Sequence, residues 1–327
     1  MKKIITAFIV AGICVSFASA LGSQEKSGDR YGELDSMYVD KNGDMIADTP
    51  EDPSQWEDPD TLIFAYAPVE DPAVYEEVFV DFQKYLSQKT GKKVKWFAVT
   101  NYATQIEAMR AGRLHVSGFA AGTVQDAVNT GGFVPLAVMG TANGFVGYRM
   151  AIVTYNGSGI NKIGDLKGKN VAFVSESSNS GYSAPRAILY QNFKLLPNKD
   201  YLVSFSGKHD NSITGVYNHD YDAGAIADTV MQRMIAGKRV PDIKTWGKVV
   251  YQSEIFPPTA WGVSYRLKPS LRDAVRDAFL SYNWEGSKLK ETWPEDDRFI
   301  AVDYVKDFKI LRDIREGSQK VAELLGE

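Results

Sequence analysis

Apolar positions along this chain switch between two periods. Short apolar runs read as strands: Leu62-Ile-Phe-Ala-Tyr66, Val94 to Val99 and Val116 to Phe119. Between them, helical spacing predicts helices over Pro72 to Thr90, stopped by Gly91, and over Tyr102 to Ala111, closed by Gly112. The same alternation restarts at Ala151-Ile-Val-Thr-Tyr155. It continues through Val171 to Val174, a helix over Ala184 to Phe193, and Asp222 to Ile226. Strands alternating with helices predict parallel sheets with crossover helices. Two successive units of about a hundred residues each predict two lobes. In such sheets ligands sit beyond the carboxyl ends of the strands, and a cleft between lobes favours a small molecule.

The residues before Thr61 follow neither period. From Glu25 to Asp60 there are twelve acidic residues against three basic ones, with few large apolar side chains, so 21–60 reads as an acidic linker or lightly ordered arm. Within it, Asp40, Asn42, Asp44 and Asp48 place oxygen side chains around Gly43, a spacing resembling short calcium loops. The run is shorter than an EF-hand loop and has no terminal bidentate glutamate; an acidic Asn-Gly turn is the competing reading. Further upstream, Lys2 and Lys3, the apolar run Ile4 to Phe17 and Ala18-Ser19-Ala20 read as a signal peptide over 1–20, cleaved near Ala20. Cys14, the only cysteine, would be the first mature residue of a lipoprotein, but Ile13 before it is too large for the usual lipid-attachment pattern.

Composition narrows the picture. With 327 residues and 44% hydrophobic content, the chain can build one large or two ordinary domains. Removing Lys2 and Lys3 leaves 35 basic against 41 acidic residues, a net charge of about −6. A mildly acidic exported protein is a poor ligand for nucleic acid or anionic membrane. No Cys-x-x-Cys, His-Glu-x-x-His or Gly-x-Ser-x-Gly occurs, so zinc sites and a nucleophile elbow have no support.

The candidate chemistry lies in Phe173-Val-Ser-Glu-Ser-Ser-Asn-Ser-Gly-Tyr-Ser-Ala-Pro185. Here a strand runs into hydroxyl and amide residues at the start of a helix, with Pro185 suited to its first turn. The first N–H groups of a helix lack internal partners and that end is partly positive, so Ser178, Asn179 and Ser180 mark an anion site. One serine acting only as a helix cap is the alternative.

These residues, with Val69-Glu-Asp-Pro72, Val99-Thr-Asn-Tyr102, Glu107-Ala-Met-Arg-Ala-Gly-Arg113, Gly147-Tyr148, Gly157-Ser-Gly-Ile160, Asp165-Leu-Lys-Gly-Lys169 and Ser206-Gly-Lys-His209-Asp-Asn-Ser212, resemble the phosphonate/phosphite/phosphate-binding proteins of bacterial ABC importers. The resemblance runs from about Leu62 to Ile314. It implies an α/β, two-lobed type II periplasmic binding-protein fold, each lobe a mainly parallel sheet flanked by helices, joined by two hinge strands near Tyr148–Val153 and Ser253–Trp261. Lobe one would hold 61–150 and 256–327, lobe two 151–255. It further implies a monomeric extracytoplasmic protein that captures a phosphorus oxyanion, delivers it to a membrane permease, and does no chemistry on it. Ser178, Asn179 and Ser180 match the oxyanion turn, His209 a ligand-contacting histidine and Tyr102 a cleft position, while Tyr66 ends the first strand. Asp228 aligns loosely with an acidic residue that holds the amine of aminoalkylphosphonates. Thr259 stands where a second acidic residue is expected, and Val124 where an aromatic is expected beside the loop Phe119 to Thr123. The departure at Thr259 argues for a smaller or differently substituted oxyanion.

If His209 donates to a dianion in its charged form, affinity weakens as pH rises through its pKa. Arg149 and Arg186 could pair with an anion or with structural partners; Trp96, Trp246, Trp261 and Trp284 read as packing. Two rival functions share the cleft: a binding protein reporting an oxyanion to a sensor kinase, and an exported phosphoester or phosphonate hydrolase.

Overall fold

Eleven strands make two sheets among the described residues of this computed structural model, which describes residues 33–327. The expected leader, Cys14 and the start of the acidic arm lie outside them. The first sheet contains β1 (Thr61–Tyr66), β2 (Lys93–Trp96), β3 (Val116–Phe119), β4 (Phe133–Gly140), β10 (Ala260–Ser264) and β11 (Arg298–Ala301). The second contains β5 (Met150–Tyr155), β6 (Asn170–Phe173), β7 (Leu202–Phe205), β8 (Ala223–Ala227) and β9 (Gly247–Gln252). Their orders are β11-β4-β10-β3-β1-β2 and β7-β6-β8-β5-β9. The crossover units give the parallel pairs β1–β2, β1–β3, β6–β7 and β6–β8. Strand β10 enters the first sheet only after the chain has returned from the second, and it runs antiparallel to both β3 and β4. In the second sheet β5 is antiparallel to both β8 and β9, so both sheets are mixed. The architecture is the two-lobed α/β type II fold.

The first lobe packs around aromatic residues from several elements: Phe64, Phe79, Phe82, Trp261, Phe279 and Phe299 are all buried. Phe64 and Trp261, from neighbouring parts of the sheet, stack at 5.8 Å between ring centroids. Each such side chain contributes about 1.5–3 kcal/mol through removal from water. The helix expected over Pro72 to Thr90 is interrupted; it forms as Ala73–Glu76 and Val80–Thr90, with Phe79 off helical backbone (φ −95°, ψ 1°).

Two chain crossings join the lobes, and they pair with each other. Tyr148 N donates to Phe256 O at 3.0 Å, and Phe256 N donates back to Tyr148 O at 2.8 Å. Gly147 sits at φ +73°, where a Cβ would meet Phe256 O at 2.4 Å, so this crossing needs a residue without a side chain. The C-terminal helix Lys309–Leu325 packs along Ala184–Phe193; a Cβ on Gly317 would stand 3.1 Å from Ala187 Cβ.

The described part of the acidic arm is docked rather than loose. Tyr38 is buried, meets the Tyr265 ring edge-on at 5.0 Å, and donates to Thr130 O at 2.9 Å. Glu57 N donates to Arg266 O, and Asp58 pairs with Lys92 and Lys268 at 2.7 and 2.8 Å. Low hydrophobicity suggested a linker, but the Tyr38 anchor, the backbone pairing of Glu57 and the ion pairs of Asp58 hold its described part to the first lobe.

Candidate functional site

Four strand ends converge on one cavity of about 90 Å³. Beyond β6 the chain does not enter the next helix directly. It makes one wide turn, Asn179–Ser183, in which Ser183 N donates to Ser178 O (3.0 Å) five residues back, and then continues as the helix Ala184–Phe193. Such widened turns concentrate at functional sites because they displace backbone groups from the regular ladder. Ser178, Asn179 and Ser180 are buried and line the cavity.

The hydrogen bonds around Ser178 fix its polarity. His209 Nδ1 accepts from Ala227 N at 3.1 Å, so that nitrogen carries no proton. The ring proton of the neutral imidazole is therefore on Nε2, 3.3 Å from Ser178 Oγ. Ser178 Oγ also accepts from Gly181 N at 3.1 Å, capping the turn. With its lone pairs engaged by two donors, the hydroxyl has its own proton to give. Capping and anion binding are thus compatible duties of one side chain. Asn179 Nδ2 donates to Tyr148 Oη at 2.9 Å, and Ser180 lies within hydrogen-bonding reach of the same phenol, whose pKa burial raises. Tyr148 as an acceptor also keeps its proton for a guest.

From the first lobe come Tyr66, at the end of β1, Tyr102, at the start of helix Tyr102–Arg110, and Ala120 to Gly122, after β3. Gly122 rests directly on the oxyanion turn: a Cβ there would meet Asn179 N at 2.3 Å and Ser177 O at 2.7 Å. The lobes are in contact across the cleft. Val124, where the resemblance calls for an aromatic, is buried core and off the cavity wall.

Of the expected site residues, Ser178, Asn179, Ser180, His209, Tyr66 and Tyr102 share this cavity. Asp228 is not on its wall: Oδ1 accepts from Arg149 N at 2.9 Å and Thr229 N at 2.8 Å, tying a crossing strand to a helix start. Burial raises the Asp228 pKa, and those N–H groups work against the rise. Arg149 Nη1 donates to Ser253 O at 2.5 Å and Arg186 pairs with Glu327 at 2.6 Å, so both have structural partners. Asp40, Asn42, Asp44 and Asp48 lie on the arm. There Asp40 accepts from Gly43 N (2.8 Å) and Met45 N (2.9 Å), Asn42 Oδ1 from Asp44 N (2.9 Å), Asp44 from Ile46 N (2.9 Å) and Asp48 from Lys41 N (2.9 Å). Among the described residues no group of three or more His, Cys, Asp or Glu is disposed to hold a metal.

The unliganded geometry favours a neutral histidine over the charged one expected, since His209 Nδ1 accepts from Ala227 N. Burial, with the positive charge of Arg233, lowers the His209 pKa to about 3. As a neutral donor, His209 is expected to give no titration step in ligand affinity between about pH 5.5 and 8.5, and a step there would restore the charged reading. Its linkage appears in stability instead. The unfolded imidazole takes a proton below about pH 6.5 and the folded one does not. Stability is therefore fully present above that pH and falls by about 1.4 kcal/mol per unit as pH drops toward 3. Urea unfolding at pH 7.5, 5.5 and 4.5 tests this. His209→Gln, which keeps an N–H without a titrating ring, is expected to show a flatter profile, and an unchanged slope counts against the assignment.

Among the wall residues that escaped the sequence reading are Tyr148 as a donor, Arg233, Trp293 and Asp296. Arg233 is committed elsewhere. Its Nε and Nη2 reach Glu70 Oε1 at 2.8 and 2.6 Å, Arg239 Nη1 reaches Glu70 Oε2 at 3.1 Å, and Tyr75 Oη donates to Glu70 at 2.7 Å. Glu70 follows β1 of the first sheet, and both arginines follow β8 of the second, so this buried group spans the cleft.

Residues 64–308 match the family described as the periplasmic substrate-binding protein of the phosphonate ABC transporter. The chain belongs to that family. A relative, the phosphate-import protein PhnD of Mycolicibacterium smegmatis, is 28% identical over 68% of this chain and 71% of its own. Among solved structures, a binding-protein component of an ABC phosphonate transporter from Pseudomonas aeruginosa superposes with a TM-score of 0.71 at 20% identity, covering 82% of this chain and 89% of that one. PhnD1 from Prochlorococcus marinus in complex with methylphosphonate gives 0.67 at 20% identity, over 82% and 99%. These likenesses carry the fold of this binding protein. Its family is periplasmic, and among its described residues no helix is long and apolar enough to cross a membrane.

Proposed function

We propose that this binding protein captures a phosphorus oxyanion, whether phosphonate, phosphite or phosphate, in the cavity between its lobes and hands it to the permease of an ABC importer. The observation that carries the reading is the polarity of Ser178. Its oxygen is saturated by Gly181 N–H and His209 Nε2–H, so its proton is directed to an acceptor. Ser180, Asn179 N–H groups and Tyr148 add donors on the same wall. Neutral donors at a helix start can hold an anion without a fixed counter-charge.

The same hydrogen bonds speak against hydrolysis. His209 has no free lone pair to take the Ser178 proton, because Nδ1 is occupied by Ala227 N–H and Nε2 is protonated. A serine without a base is not a nucleophile. The protein in this reading works as a monomer, exported by residues 1–20 with cleavage near Ala20, and has no nucleic-acid partner. Calcium on Asp40, Asn42, Asp44 and Asp48 would use the second lone pairs of their oxygens. Calorimetric titration of the mature protein with calcium tests that arm, and absence of heat reduces it to a turn held by its own backbone.

Thermal-shift measurement against phosphate, phosphite, methylphosphonate, aminoethylphosphonate, sulfate and arsenate tests the main reading. At a hundredfold excess over Kd, a cognate ligand stabilises by about 2.7 kcal/mol. Ser178→Ala and Ser180→Ala are each expected to weaken binding by about 1–3 kcal/mol. A melt shifted only by a sulfonate or an organic base overturns the phosphorus assignment.

A further inference from the structure

The wide turn Asn179–Ser183 has an inner and an outer side. Ser178, Asn179 and Ser180 line the cavity, whereas Tyr182 is off its wall and packs against Phe173 and Phe205, with ring centroids 6.1 and 5.9 Å apart. Arg186, in the first turn of the following helix, holds Tyr182 from behind. Its Nη1 donates to Tyr182 Oη, and its guanidinium carbon stands 4.7 Å from the ring centroid. The Arg186 side chain is only 3% exposed, and its Nε is buried without a hydrogen-bond partner. Its charge is met from far along the chain, by Glu327, whose Oε2 accepts from Nη2 at 2.6 Å.

Glu327 follows the helix Lys309–Leu325, which touches both lobes. On the first, Arg315 pairs with Asp126 at 2.6 Å, in the helix Val124–Gly131 that begins just after Gly122. On the second, Gly317 lies against Ala187 and the Gln191 side chain, and the helix also packs on the oxyanion turn itself. A widened turn lacks the regular hydrogen-bond ladder, so its shape depends on what packs against it.

We propose that Arg186 and Glu327 are positioning residues for oxyanion capture: through Tyr182 they hold the turn in the shape that aims Ser178, Asn179 and Ser180 at the ligand. This rests on the oxyanion reading above and deepens it. Neither residue lines the cavity. Without the Glu327 carboxylate the enclosed guanidinium is left uncompensated, and moving outward to water makes it release Tyr182. The turn then keeps its donors but loses their preorganisation. Glu327 is 45% exposed, so solvent moderates the loss.

Calorimetric titration of the full mature chain with methylphosphonate, phosphite and phosphate tests the proposal on wild type, Glu327→Ala, Glu327→Gln and Tyr182→Phe. Glu327→Ala is expected to weaken the tightest of the three ligands about three- to tenfold, and Glu327→Gln, which keeps an acceptor, by less. Tyr182→Phe keeps the ring, removes the hydroxyl that Arg186 holds, and is expected to weaken binding comparably. The double variant Glu327→Ala with Tyr182→Phe is expected to lose no more than the weaker-binding single variant, because both cut one path. Should Glu327→Ala not fold, Glu327→Gln with Tyr182→Phe completes the same cycle. A lowered melting temperature with unchanged Kd, or losses that multiply in the double variant, overturns the proposal and leaves the oxyanion reading intact. Failure of all three ligands to bind the wild type removes both readings together.

Discussion

Gly122→Val is expected to weaken oxyanion binding by about five- to 150-fold while leaving the unliganded protein folded. Gly122 belongs to the first lobe and touches the oxyanion turn of the second. A Cβ at this position would stand 2.3 Å from Asn179 N, 2.7 Å from Ser177 O and 3.0 Å from Ser178 C. All three are backbone atoms, which cannot swing aside as a flexible side chain does. Overpacking of this kind costs about 1–3 kcal/mol, which is the stated loss of affinity. The cost falls on closure, because opening the lobes removes the clash without disturbing either sheet. Calorimetric titration paired with a thermal melt of the unliganded variant checks this. A large drop in melting temperature with unchanged affinity would show that the contact stabilises the fold rather than the liganded state.

Glu70→Ala is expected to cost more. The Glu70 carboxylate is almost fully buried and receives Arg233, Arg239 and Tyr75. Arg239 in turn pairs with Asp210 at 2.7 Å, beside His209. Burial alone would lower the Arg233 pKa, but Tyr75, Glu70 and Tyr66 more than offset this, and the pKa lies above its ordinary value. Removing one partner of a buried pair costs about 3–5 kcal/mol, because the other charge is left without compensation. Here the stranded arginines can regain water if the lobes part, so the loss is expected chiefly in affinity, about a hundredfold or more. Glu70→Gln keeps hydrogen-bond acceptance without charge and should lose less. Parallel measurement of Kd and of urea unfolding checks the partition; a loss confined to unfolding would make the group an ordinary structural pair.

What the sequence made legible follows from local physics. The helix Ala184–Phe193 has the bounds its apolar period and Pro185 suggest, and β1, β3 and β6 stand where alternating apolar runs put them. The oxyanion turn was readable because hydroxyl residues at a helix start carry a local meaning. The wide turn inserted at Asn179–Ser183 was not, since it depends on packing against Val174 rather than on propensity. Strand β10 is five residues with a central glycine, and it becomes a strand only by filling the slot between β3 and β4. Asp228 was misassigned because a carboxylate at a helix start looks the same in sequence whether it faces a ligand or backbone N–H groups. Asp296 lies in a Pro-Glu-Asp-Asp run that reads as a solvated loop, yet it borders the cavity. The acidic arm was judged by average composition, which misses one well-placed tyrosine anchor, Tyr38, and the ion pairs of Asp58.

The central claim is that donors at one helical tip hold a phosphorus oxyanion between closed lobes. A crystal structure of the mature protein with methylphosphonate tests it most directly. The expected result places phosphonate oxygens within about 3.2 Å of Ser178 Oγ, the Ser180 side chain and N–H groups of the Asn179–Ser183 turn. A phosphonate bound elsewhere, with that turn open to bulk solvent, would contradict the account.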